Sequence, residues 1–166
     1  MMRVLVLIGS DSDAPVMRTT VDVLASLGVA ARLTVASAHR SPARVAHLVE
    51  EAARDGVQVF IAGAGAAAHL AGVIAAHTTR PVIGVPIDSS PLVGFDALLA
   101  TVQMPPGVPV ATVSVGKAGA TNAAVLAAQI IALSDPEVAA RLADYKAALA
   151  QKVEEAAAKL EAGGEG

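Results

Sequence analysis

Short apolar, β-branched runs alternate along the chain with segments in which apolar residues recur at helical spacing. Five runs read as strands: Val4–Ile8, Ala31–Val35, Val57–Ala62, Val82–Val85 and Val110–Val115. Each is nearly all apolar, as expected of parallel strands covered on both faces. Helices are predicted between them at 14–27, 42–55, 67–78 and 95–101, and after the fifth strand at 119–133. Asp13 stands before Ala14-Pro15 and Ser41 before Pro42, so an N-cap followed by proline in the first turn is expected twice. Gly28 and Gly56 are the expected stops of the first two helices.

This alternation predicts a single-domain, doubly wound parallel α/β sheet, flavodoxin-like and three-layered, with strand order 2-1-3-4-5. A last helix, rich in Ala, Glu and Lys, is expected from about Asp135-Pro136 to Leu160. No sixth strand follows for it to cover. The organisation expected is therefore a catalytic α/β domain at 1–134, a C-terminal helix at 135–162 packing on neighbouring subunits, and a disordered tail at 163–166.

Composition sharpens this picture. The chain has 166 residues, 54% of them hydrophobic and only 16% charged, and its mean hydropathy is +0.59. No stretch has the length and apolarity of a membrane span. The surplus lies in Ala and Val, which fits either a protomer that hides surface in an oligomer or an alanine-rich coding bias; the oligomer is the expectation. A net charge of −3 provides no basic field for nucleic acid or anionic lipid. The absence of cysteine removes disulfides, thiolate zinc sites and cysteine nucleophiles. MMRVLVLIGSDSD reads as a first strand, not a signal peptide, and a cytoplasmic location is expected.

Ligands of an open parallel sheet sit outside the carboxyl ends of its strands, near the switch in strand order. GSDSD (9–13), SAHR (37–40) and GAGAAAHL (63–70) follow the first three strands, so in the order 2-1-3 they should line one cleft. Ser10 suits a phosphate oxygen at a helix N-terminus. Asp13 either accepts from ribose hydroxyls, caps its helix, or does both. His39 beside Arg40 pairs an imidazole able to move protons near neutral pH with a guanidinium suited to phosphate or ribose.

Other matches are weaker. GAGAAA fits the dinucleotide fingerprint loosely, but it follows a third strand and Asp88 lies in a Ser/Pro-rich loop. GKAGAT (116–121) fails as a P-loop, because Ala follows Lys117. His47 reads as a solvated helix residue, His77 as a structural helix end, and His69 as a first-turn residue at the cleft. No histidine spacing suits a metal, and no cofactor is expected.

SAHR, GAGAAAHL and VQMPPGVPVATVSVGKAGATNAAVLAAQI (102–130) together resemble the PurE family, and within it the bacterial mutase branch. The likeness runs from about Arg3 to Ser134. The family's AGAGGAAHLPG reads AGAGAAAHLAG here, with Ala66 and Ala71 replacing Gly and Pro; Ala66 is expected to avoid positive φ. The direct carboxylase branch typically has Ser-Asn where this chain has AAH, so His69 favours the mutase.

The resemblance implies a homo-octamer without metal or organic cofactor. It implies transfer of a carboxylate from the exocyclic nitrogen of a carboxyaminoimidazole ribonucleotide to ring carbon C4, with CO2 as a transient partner. His39 would be the general acid/base, and His69 would orient the carboxylate or support its loop. Ser10, Asp13, Ser37, Ala38, Arg40, Gly65 and Ala66 would bind the ribonucleotide, and SSPLVGFD (89–96) matches a segment near the site. The alternatives are direct carboxylation by CO2 and a non-catalytic nucleotide-binding module.

Overall fold

Five parallel strands, numbered along the chain, stack in the order 2-1-3-4-5 in the computed structural model, which describes residues 1–163. β1 (Val4–Ile8) lies between β2 (Ala31–Val35) and β3 (Val59–Gly65), with Ile8 level with both Val35 and Gly63. β4 (Val82–Ile87) runs alongside the length of β3, and β5 (Ala111–Thr112) closes the far edge. The helices are α1 (Ala14–Ser26), α2 (Pro42–Arg54), α3 (Leu70–Ala76), α4 (Phe95–Val102), α5 (Gly116–Ala132) and α6 (Pro136–Gly163).

Side chains alternate across each strand, so the sheet feeds two cores. Val4, Val6, Ile8, Ile61 and Val85 pack against α1, α5 and the start of α6. Leu5, Leu7, Phe60 and Ala62 pack against α2 and α3 on the opposite face. α4 reaches that second face because Gly84 has no side chain: a Cβ there would lie 2.3 Å from Thr101 Cγ2. Within the first core, Ala120, Ala123, Ala124, Ala127 and Ala128 of α5 are fully buried, and Thr20 of α1 donates to the Ala120 carbonyl at 2.9 Å. Part of the alanine surplus therefore serves close packing inside one protomer.

Several boundaries differ from the sequence expectation. β3 begins two residues later and runs on to Gly65, because β4 offers Pro86 and Ile87 as register partners for Ala64 and Gly65. β5 is two residues long rather than six: it meets only Ile83 and Gly84 of β4, and the chain turns at Gly116 to begin α5 early. α3 is confined to Leu70–Ala76, preceded by tight turns in which Ala68 N–H donates to Ala66 and His69 N–H to Ala67. His69 is thus the residue before the helix, not part of its first turn.

Both expected N-caps are also corrected. Asp13 already has helical backbone angles, at the end of a 3-10 turn spanning Asp11–Asp13, and its side chain makes no capping bond to α1. Ser10 caps that turn instead, accepting from Ser12 N–H. Ser41 likewise leaves α2 uncapped, its hydroxyl being engaged with Ser37. The predicted stops do occur, with Gly28 at φ +73° and Gly56 at +86°.

α6 starts where expected. Asp135 accepts from the N–H groups of Glu137 and Val138 and is paired with Arg3, whose guanidinium holds the Asp135 carboxyl below the usual range. Val138, Leu142 and Tyr145 pack on the protomer's own core, whereas Leu149, Val153 and Leu160 are exposed. Gly163 ends this helix; the rest of the expected tail, 164–166, lies outside the described residues. Among those described, no helix is long and apolar enough to cross a membrane.

Candidate active site at the carboxyl ends of β1, β2 and β3

A cavity of about 340 Å³ opens where the first three strands release the chain. Ser10, Asp13, Ser37, Ala38, His39, Arg40, Gly65 and Ala66 all line it. The topology accounts for this convergence, since β1 is flanked by β2 and β3 and neighbouring parallel strands end on one side of the sheet.

Each loop presents different chemistry. The first places the Ser10 and Ser12 hydroxyls 2.9 Å apart at the mouth of α1. Beneath them Asp13 is only 5% exposed. Burial pushes its carboxyl above the ordinary value; hydrogen bonding to Ser10 and Ser12 opposes this, and the nearby Asp11 charge reinforces it. The second loop carries Arg40, which donates from Nη2 to the Gly9 carbonyl at 2.9 Å and so ties loop two to loop one.

His39 is exposed, and its Nε2 lies 2.8 Å from His69 Nδ1, with the rings edge to face. One nitrogen must donate and the other accept, so the pair shares a proton across two loops. His69 does not line the cavity; it meets it through His39. His47 and His77 are exposed and stand on α2 and at the end of α3.

The third loop forms a wall of small residues, and here an expectation is overturned. Ala66 does not avoid the left-handed region: its φ is +49°. The tight turn into Ala68 imposes this angle, which the alanine adopts despite its Cβ.

The cavity is also lined by Gly9, Ser12, Ala64, Ala67 and Leu70, which lie within the segments expected at the cleft but were not singled out as binding residues, and by Ser89 of the 89–96 segment. Topology accounts for Ser89, because β4 neighbours β3 and its exit loop overhangs the same cleft. Arg44 is the residue sequence reasoning missed. It donates to the Val35 carbonyl at 3.0 Å and to the Thr34 hydroxyl at 3.3 Å, holding the end of β2.

The family described as AIR carboxylase matches residues 3–152. The chain belongs to the AIR carboxylase family. An N5-carboxyaminoimidazole ribonucleotide mutase from Thermotoga maritima is 46% identical over 161 residues, spanning 97% of this chain and 93% of that protein. The Escherichia coli K12 protein of the same name is 48% identical over 151 residues, spanning 91% and 89%. The crystal structure of Treponema denticola PurE matches with a TM-score of 0.87 at 30% identity, covering 96% of this chain and 99% of that one. AIR carboxylase family membership thus extends through the sheet, the cavity and the first part of α6.

Proposed function

We infer that this chain is an isomerase of purine biosynthesis: it converts N5-carboxyaminoimidazole ribonucleotide to the 4-carboxy isomer. Close relatives across nearly the whole chain bear the mutase name. The observation that carries the chemistry is the imidazole of His39, bonded to His69, at a cavity shared with Ser10, Asp13 and Arg40.

The reaction moves a carboxylate within one molecule, so it needs neither redox chemistry nor an activated donor. A proton delivered to the exocyclic nitrogen breaks the N–C bond and releases CO2. Ring carbon C4 then attacks that CO2, and the C4 proton is removed. One proton is given and one is taken, which suits a single imidazole acting in both directions. His39 is the group proposed for this, and His69 the partner that supplies and receives its proton. Ser10 and Arg40 provide donors for phosphate, Asp13 an acceptor for ribose, and Ser37 and Ala38 the edge of loop two. Gly65 and Ala66 leave room for CO2, whose confinement makes recapture effectively intramolecular.

His39, Arg40, Ala66 and Ala67 are exposed in one protomer, so a single chain leaves the cavity open to water. A cytoplasmic homo-octamer is part of the proposal. Its support is the exposed apolar Leu92 just before α4 with Phe95, Leu99 and Val102 along it, and the largely bare outer part of α6, residues 146–162 of the expected packing helix. Sedimentation of a species of eight chains is expected; a stable monomer with full activity overturns this part.

His39→Asn is expected to leave ribonucleotide binding intact and to lower turnover by roughly 10²–10⁴-fold or more. Near wild-type turnover removes His39 from the chemistry. Supplying the carbamate substrate and, separately, the unsubstituted ribonucleotide with bicarbonate distinguishes the mutase from the direct carboxylase. Preference for the second pair refutes the isomerase reading.

A further inference from the structure

We propose that Ser41 is a positioning residue for His39, acting through the turn that carries the imidazole and not through α2. This rests on the catalytic reading of His39 given above.

Ser41 stands where a helix N-cap is expected, yet its hydroxyl faces backwards. It accepts from the Ser37 N–H at 3.0 Å and lies 3.2 Å from the Ser37 carbonyl, to which it donates. The Ser41 N–H reaches that same carbonyl at 2.9 Å. Residues 37–41 are thereby closed into a ring with Ser41 at its base. A second set of bonds lies inside it: Ser37 Oγ accepts from the Arg40 N–H at 3.2 Å, while Nε of the same residue stands 3.5 Å away. His39 sits at the top of this ring, two residues from either end, and its Nε2 must arrive 2.8 Å from a nitrogen on another loop.

The ring is held from outside as well. The Ser41 carbonyl accepts from Arg44 and Val45 at the start of α2. Val45, Leu48, Val49 and Ala52 bury the inner face of that helix, and Arg44 fastens it to Val35 and Thr34. α2 therefore keeps its place without the Ser41 hydroxyl. What the hydroxyl alone provides is closure at the Ser37 N–H, the first donor of the loop. Removing it frees that end of the turn, and the imidazole loses its fixed approach to His69. A displacement on the order of 1 Å at a reacting group is enough to lower a rate by roughly 10²-fold.

The decisive pair is Ser41→Thr against Ser41→Val, which share one steric footprint and differ in the hydroxyl; Ser41→Ala provides a second hydroxyl-free variant should valine pack badly. The threonine variant is expected to retain kcat and the His39–His69 contact. The valine and alanine variants are expected to lose roughly 10–100-fold in kcat, with a smaller change in KM and with α2 intact by thermal melting. Crystal structures of the variants should show the His39–His69 nitrogens moved beyond hydrogen-bond distance only where the hydroxyl is missing. Equal kcat in all variants, or a loss that follows thermal stability instead of the hydroxyl, overturns the proposal. If the wild-type chain has no mutase activity, the catalytic reading falls, and the crystallographic contact alone then decides the role of Ser41.

Discussion

Replacing Ala66 with glycine should not weaken this protein, although glycine usually does. Ala66 holds φ at +49° in an exposed turn, where its methyl group packs into no core. An L-residue in the left-handed region carries about 1–2 kcal/mol of steric cost that glycine avoids. Glycine loses roughly 0.5–1 kcal/mol through the greater freedom of its unfolded chain. The difference leaves Ala66→Gly between neutral and about 1.5 kcal/mol more stable. At about 2–4 °C per kcal/mol for a chain of this size, the melting temperature should stay level or rise by a few degrees. Ala67→Gly is the control: Ala67 is equally exposed but is not in the left-handed region, so it should fall by about 0.5–1 kcal/mol. Both variants are compared with wild type by thermal melting at one protomer concentration, because assembly shifts apparent stability. Equal losses in the two variants would refute the assignment of backbone strain to position 66.

Other consequences of the site can be measured directly. Arg40→Ala removes a charged donor and the tie to Gly9, and should weaken ribonucleotide binding by roughly 10–100-fold, with kcat less affected; calorimetric titration checks this. Burial raises the folded-state pKa of Asp13 above its ordinary 3.8, so its contribution favours folding while protonated and declines as pH rises through 3.8 toward the folded value. Asp13→Asn should therefore stabilise the apoprotein at neutral pH, lose that gain below about pH 4, and weaken substrate binding; a pH-independent stability difference contradicts the assignment. Thr20→Val deletes the buried bond to Ala120 and should cost about 1 kcal/mol in chemical denaturation, an unchanged midpoint counting against it.

The sheet was legible where side chains declare it. VLVLI and VIGV are buried on both faces, and their apolar runs mark β1 and β4 directly. The end of β3 was hidden, because Ala64 and Gly65 carry no strand preference and are extended by their pairing with β4. β5 misled in the other direction: VATVSV has strand chemistry, but an edge position gives it partners at only two residues. Cap residues misled because a serine or aspartate before proline states a possibility that local turns then decide. The cleft could be found from strand order alone. The meeting of His39 and His69 could not, since 30 residues separate them and neither lies in a spacing that predicts contact.

The root of α6 has a mechanical consequence. Arg3, immediately before β1, grips both Asp135 and Gln58, so the last helix leaves the body from a joint pinned beside the central strands. Its bare outer half is the far arm of a lever anchored at its base. Whatever takes hold of that arm also sets the direction in which the mouth of the cavity points.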